Sequence, residues 1–120
     1  MKLEKVNVQE IVQEVRKKFE RAEIEKSELV RLYSIYNPNV DSSIFVEEAI
    51  KIFPKLNCGL ASVYLQELLG GEIVRGYYDG YPHTYLLLSG QVIDVTSDQY
   101  GGPKVYVGEL KLPWTKGGVS

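Results

Sequence analysis

The distribution of glycine is the feature that most constrains what this chain can fold into. The first 57 residues contain no glycine, and all 11 glycines lie at Gly59 or later. The same 57 residues carry 20 of the 30 charged residues, ten of each sign. Glycine favours tight turns, whereas charged side chains cover the exposed faces of helices. The sequence therefore predicts a helical, solvated N-terminal part, followed by a turn-rich part that contains strands.

The length fits one domain. The chain has 120 residues, and no Gly/Ser-rich or Pro-rich linker divides it. A chain of this size buries a hydrophobic core without disulfides or metals. We therefore expect a single domain over residues 1–120, with a helical part at 1–56 and a core of one helix and an antiparallel sheet at 57–110.

Composition argues against several classes of protein. The net charge is −2, whereas proteins that bind nucleic-acid phosphates usually carry a basic excess. No apolar run approaches the roughly 18 residues of a membrane span, and the N-terminus lacks the apolar stretch of a signal peptide. The single cysteine and single histidine can form neither an internal disulfide nor a zinc site unaided. We expect a cytoplasmic protein with no cofactor, metal, nucleic-acid or membrane partner; a homo-oligomer is left open.

Apolar residues recur at helical spacing in three segments of the N-terminal part. The first predicted helix spans residues 8–22, with Asn7 as its N-cap and Glu10 as capping-box partner. Its apolar stripe is expected to cover the core, although a partner-binding role is the alternative. The second follows Ser27 and stops before Pro38, and the third spans residues 43–53.

A fourth predicted helix starts after Asn57 and ends at Gly70. Its apolar face is the broadest in the chain, so we expect this helix to be central and the following residues to be buried: Leu60, Ala61, Tyr64, Leu65 and Leu68. Cys58 then lies in the first turn. The unpaired N–H groups of a helix N-terminus stabilise a thiolate and can bind an oxyanion, although an unpaired cysteine also packs as an inert small hydrophobe.

After Gly71 the pattern changes to that of short strands. We predict strands at Glu72–Tyr78, His83–Leu88, Gln91–Thr96 and 104–107, with turns at 79–80 and 89–90. An antiparallel sheet of three or four strands behind helices follows, which is an α+β fold.

The turn at Ser89-Gly90 determines which side chains share a face of the sheet. A two-residue loop places Tyr85 opposite Asp94 and makes His83 a diagonal neighbour of Asp94, within side-chain reach. A three-residue loop would put His83 and Asp94 on opposite faces. Cysteine, histidine and aspartate together are the parts of a thiol hydrolase, if the Cys58 helix docks against this hairpin.

The sequence resembles small bacterial and phage proteins of the papain-like and transglutaminase-like cysteine superfamily. The resemblance rests on Phe53-Pro54-Lys55-Leu56-Asn57-Cys58 before a leucine-rich helix, on His83-Thr84-Tyr85, and on the segment Val92-Ile93-Asp94-Val95-Thr96-Ser97-Asp98-Gln99-Tyr100-Gly101. It covers roughly residues 53–108. Tyr85 stands where such proteins typically have tryptophan.

The resemblance implies a helix-borne Cys58 nucleophile, His83 as base and Asp94 as the residue that orients it. Asn57, Gln99 and Tyr85 are further candidates for oxyanion or substrate contacts, although Asn57 can simply cap its helix and Gln99 can simply hold its loop. The expected function is a cysteine hydrolase or acyltransferase that acts on an amide or peptide bond through a thioester. The alternative is a non-catalytic binding module that retains a papain-like fold. On the first interpretation, replacing Asp94 by Asn should slow acyl transfer without loss of stability.

Overall fold

A computed structural model describes residues 3–116, with side chains from residue 8 onward. Four helices precede five strands: α1 (Leu3–Glu20), α2 (Lys26–Tyr36), α3 (Ser42–Lys51), α4 (Cys58–Leu69), β1 (Glu72–Tyr78), β2 (Tyr81–Leu88), β3 (Gln91–Asp94), β4 (Tyr106–Glu109) and β5 (Trp114–Thr115). A 3-10 turn, Ser97–Tyr100, follows β3. The strands form one antiparallel sheet in the order β4-β3-β2-β1-β5. The predicted α+β class is confirmed.

The helices follow the predicted segments, but several of their ends differ by one to five residues. α1 begins at Leu3, so the prediction of Asn7 as its N-cap is wrong; leucine, glutamate and lysine, which precede Asn7, are good helix formers and extend the helix backwards. α3 ends at Lys51 and is capped at its start by Asp41, which accepts from the Ile44 N–H. None of the helices in the described part of the chain has the length and apolar character needed to cross a bilayer.

α4 is the central helix, because it contacts α1, α2 and the sheet. Leu60, Ala61 and Leu65 are buried as predicted, and they pack with residues of all three other helices and with the sheet. Tyr64 is only partly buried. Leu68 is 50% exposed, so its predicted burial is wrong; it lies in an open groove between the last turn of α4 and α1.

The β2–β3 hairpin has the predicted two-residue loop. Ser89 and Gly90 both have positive φ, at 51° and 82°, as a type I′ turn requires. Leu86 pairs with Ile93, and both face the helices. The other face of the sheet carries a second apolar cluster: Val74, Tyr78, Tyr85, Val92 and Trp114.

The strands after the hairpin are less well predicted. β3 ends at Asp94 instead of Thr96, and β4 spans Tyr106–Glu109 instead of 104–107. β5 has only two residues, too few for a recognisable alternation. It pairs with β1 beside Gly76, where a Cβ would collide with the Thr115 carbonyl.

Arg16 ties α1 to the chain that leaves β3. Its guanidinium donates to both carboxylate oxygens of Asp98, at 2.7 and 2.9 Å, and to the carbonyl of Val95 at 2.9 Å. Its Nε donates to Glu20 at 2.8 Å. This bidentate contact fixes the position of the 3-10 turn relative to the helices.

Candidate active site

Asp94 ends β3 and is buried, with 2% of its surface exposed. Its Oδ2 lies 2.7 Å from His83 Nε2 and accepts from the indole N–H of Trp114 at 2.8 Å. Its Oδ1 accepts from the backbone N–H of Thr96 at 2.8 Å and from the Thr96 hydroxyl at 3.3 Å. Both carboxylate oxygens therefore receive donors, an arrangement that suits an ionised carboxylate.

His83 lies in β2, diagonal to Asp94 as the predicted register requires, and its side chain is buried. Because Asp94 accepts at every other contact, we assign the Nε2 proton as the donor to Oδ2. The rings of Tyr78, Tyr85 and Tyr100 surround the imidazole, with the Tyr100 ring edge-on at 5.4 Å. Nδ1 is buried and has no hydrogen-bond partner among residues 8–116. The ring is thus oriented by one nitrogen and free at the other.

Cys58 is the first residue of α4 and is only partly buried. Its thiol approaches the His83 ring closely enough to shift the pKa of both groups, although Nδ1 makes no formed hydrogen bond. Active sites without substrate are commonly this loose. Thr84, two residues beyond the last β2–β3 pair, also lowers the pKa of the thiol through its backbone N–H and its hydroxyl.

The surroundings favour a thiolate–imidazolium pair. Burial raises the pKa of the Cys58 thiol, but interactions with His83 and Thr84 outweigh burial, so the net pKa is lowered. Burial lowers the pKa of His83, but the contacts with Asp94 and then Cys58 outweigh it and raise this pKa to about 9. Each partner therefore stabilises the charged form of the other.

The thiol opens into a cleft of about 370 Å³. The cleft is lined by residues of α2, α3, α4, the sheet, the 3-10 turn and the loops between the helices: Tyr33, Tyr36, Asn37, Phe45, Leu56, Cys58, Gly59, Arg75, Thr84, Gln99 and Tyr100. A Cβ on Gly59 would lie 3.2 Å from the Tyr33 ring and 3.3 Å from the Tyr36 ring. The lack of a side chain at Gly59 lets these rings close over the start of α4.

Gln99 is one of the cleft-lining residues, and its Nε2 is buried without a hydrogen-bond partner in the described part of the chain. Other contacts hold its loop: Ser97 Oγ donates to the carbonyl of Pro103 at 2.5 Å, and the Tyr100 hydroxyl donates to that of Pro82 at 3.1 Å. A buried amide nitrogen without a partner is unusual in a purely structural residue. The geometry therefore favours Gln99 as a hydrogen-bond donor to an oxyanion or a substrate over a role in holding its loop.

Two further sequence candidates have structural contacts instead. Asn57 is fully buried, and its amide nitrogen donates to the carbonyls of Ala49 at 2.9 Å and Lys55 at 2.7 Å. The Asn57 side chain does not cap α4. Both of its amide protons are used in these two hydrogen bonds, so none is left for an oxyanion. The two contacts join the end of α3 to the turn before Cys58. Tyr85 is also fully buried, and its hydroxyl donates to the Thr115 carbonyl at 2.9 Å. Its ring supports the sheet beneath His83 and does not line the cleft.

The contact between Trp114 and Asp94 was not predicted from the sequence. A buried indole N–H needs a hydrogen-bond acceptor, and this requirement is the signal in the sequence that could have indicated the contact. Trp114 also stacks on Tyr106, with ring centroids 4.0 Å apart. Within the described residues no three His, Cys, Asp or Glu side chains are grouped to hold a metal ion; Asp94, His83 and Cys58 are instead in a row, with the imidazole between the other two.

The second half of the chain matches a known protein family. A family model described as YunG protein matches residues 53–113, half of the chain. The chain belongs to the YunG family. The matched residues include Cys58, His83, Asp94 and Gln99, and they end one residue before Trp114. No curated protein and no solved structure matches the chain.

Proposed function

We propose that this YunG-family chain is a cysteine hydrolase or acyltransferase that acts on an amide or peptide-type bond. The observation that carries the proposal is the His83–Asp94 contact of 2.7 Å, which leaves the second imidazole nitrogen unpartnered beside the Cys58 thiol. The same parts support a papain-like or transglutaminase-like relationship, in which a helix-borne cysteine meets a sheet that carries histidine and then aspartate.

The proposed reaction begins with attack of the Cys58 thiolate on the carbonyl carbon of the amide. The new S–C bond moves the carbonyl electron pair onto oxygen. The backbone N–H of Cys58 and the Gln99 amide are the candidate donors to that oxyanion. The imidazolium of His83 then protonates the leaving nitrogen from Nδ1, the C–N bond breaks and an acyl thioester remains.

In the breakdown of the thioester, the His83 imidazole accepts a proton instead of donating one. Neutral His83 takes a proton at Nδ1 from water, whose oxygen attacks the thioester carbon. The S–C bond breaks, and the thiolate and the acid product are released. An amine in place of water gives a transferase or transglutaminase-type outcome. Asp94 holds Nε2 throughout and stabilises the imidazolium. We place this chemistry in the cytoplasm, where a reduced environment keeps a single reactive thiol free.

The proposal is tested by trapping the acyl-enzyme. The full chain is mixed with p-nitrophenyl acetate, and release of p-nitrophenolate is followed with the intact mass of the quenched protein. We expect one acetyl group on Cys58, formed rapidly at neutral pH, and none on Cys58→Ala. His83→Gln should slow acylation, whereas Ser62→Ala, a small change farther along the same helix, should not.

The lining of the cleft also fits a non-catalytic binding module. Four of the eleven residues that line the cleft are aromatic, and such a surface can bind a ligand without chemistry. If Cys58 acylates no faster than an ordinary thiol and His83→Gln changes nothing, the hydrolase proposal fails. The non-catalytic binding module is then preferred.

A further inference from the structure

Arg75 lies on β1 and is held over the mouth of the cleft. Its guanidinium carbon is 4.6 Å from the centroid of the Tyr36 ring, and its Nε donates to the Tyr36 hydroxyl at 3.0 Å. The stack on the ring and this hydrogen bond fix the plane of the guanidinium and leave its two terminal nitrogens without a hydrogen bond to described residues. A planar pair of N–H donors in a fixed position matches a carboxylate.

No carboxylate lines the cleft to neutralise this charge, and the Cys58 thiolate is already paired with the His83 imidazolium. None of its lining side chains is acidic, and Arg75 forms no ion pair with any residue from 8 to 116. Two other arginines differ in this respect, since Arg16 pairs with Asp98 and Arg31 with Glu28. The cation in the cleft is therefore available to a ligand.

The size and walls of the cleft restrict what that ligand can be. A volume of about 370 Å³ is near the lower end for ligand pockets. It suits one residue or a short terminal piece better than the middle of a polypeptide. The rings of Tyr33 and Phe45 stack with centroids 4.7 Å apart and form an apolar wall.

We propose that the cleft selects small amide substrates with a free carboxylate, such as N-acyl amino acids or the C-terminal residue of a peptide. Arg75 binds the carboxylate, the aromatic wall receives the side chain, and the amide carbonyl reaches Cys58. This inference rests on the proposed function for the reaction itself, but not for the binding step.

The test uses two electrophiles that differ only in charge. N-chloroacetyl-phenylalanine and its carboxamide each alkylate a thiolate: the S–C bond forms, the C–Cl bond breaks and chloride leaves. Because the chain has one cysteine, the intact mass reports Cys58 alone. Rates are measured for both probes at one pH and one ionic strength, and the ratio of carboxylate to carboxamide is the readout.

In the unmodified chain we expect the carboxylate probe to react about threefold faster, as befits an exposed but oriented charge pair. Arg75→Gln should bring the ratio to about one. Arg75→Lys, which keeps the charge without the planar fork, should give an intermediate ratio. Arg21→Gln is the matched control, because it removes the same charge at an exposed residue outside the cleft and should leave both rates unchanged.

Three results would overturn the inference: a ratio of one or below in the unmodified chain, a ratio that Arg75→Gln does not alter, or an equal loss in Arg21→Gln. Failure of the proposed function is separable, because it appears in the absolute rates. A carboxamide probe that reacts as slowly as with a free thiol, with the ratio intact, would leave the Arg75 site standing and remove the catalytic role of Cys58.

Discussion

Two carboxylates four positions apart, Asp94 and Asp98, follow one another out of the sheet and have different surroundings. Asp98 accepts two parallel hydrogen bonds from Arg16, and Arg16 also donates to the Glu20 carboxylate and to the Val95 carbonyl. Asp94 meets His83, whose other nitrogen is unpartnered beside a partly exposed thiol. The first cluster is closed, and the second is open at one end.

The difference indicates that the Asp98–Arg16 cluster contributes to the stability of the fold and the Asp94–His83 cluster to its chemistry. A closed ion pair has no polar group left to act on a ligand, so its removal should be felt in unfolding. An open row of polar groups leaves a buried nitrogen unsatisfied, which is a cost to stability and a resource for proton transfer. Substitutions in each cluster therefore test these two roles separately.

The largest effect is expected from Arg16→Ala. This change leaves the largely buried carboxylate of Asp98 without its partner, and a cost of about 3 kcal/mol in the free energy of unfolding follows. Urea denaturation measures it. The control is Arg31→Ala, which removes an exposed arginine paired with Glu28 and should have little effect. Equal losses in the two variants would show that Arg16 is no more structural than a surface residue.

Asp94→Asn is expected to have the second largest effect on stability. The sequence argument anticipated no loss, but Asp94 accepts four hydrogen bonds, and an amide turns one acceptor into a donor that faces other donors. We expect about 2 kcal/mol of destabilisation together with a slower reaction at Cys58. Asp79→Asn makes the same chemical change in a turn with φ of 52°, where asparagine is well tolerated. A fully stable Asp94→Asn would restore the original expectation.

His83→Gln probes the open end of the second cluster. Without the imidazole, burial is the largest influence left on Cys58 and its pKa rises. At pH 7 the thiolate fraction falls, so alkylation by iodoacetamide should slow about tenfold. The alkylation rates of the unmodified chain and of His83→Gln should converge once the pH rises above the pKa of an ordinary thiol, 9.0. Parallel pH profiles with no convergence would mean that His83 does not control the thiol.

The residues of the His83–Asp94 pair were predictable because they depend on local geometry. The Ser89-Gly90 loop fixes the register, and the register brings His83 and Asp94 together. The burial of Leu60 and Leu65 followed in the same way from helical periodicity.

Other parts of the site depend on contacts between distant segments, which periodicity does not contain. Trp114 reaches Asp94 from a two-residue strand at the far edge of the sheet order, and Arg75 joins the cleft only because α2 places Tyr36 beneath it. The side chain of Asn57 was misassigned for a related reason: its partner Ala49 belongs to the preceding helix, eight residues away.

The smallest perturbation is a titration of the single histidine, followed by the NMR signal of its ring. Because the folded pKa of His83 is about 9 against an ordinary 6.5, the imidazolium should persist through neutral pH, with a midpoint near 9. The stability that this raised pKa provides is fully present below about 6.5 and is lost as the pH rises towards 9. Cys58→Ala removes the thiolate but keeps Asp94, so the midpoint should fall without reaching the ordinary value. Asp79→Asn, at an exposed turn, should leave it unchanged. A midpoint near 6.5 in the unmodified chain, unmoved by Cys58→Ala, would mean that Cys58 and His83 do not form a charged pair, and the second cluster would then be as inert chemically as the first.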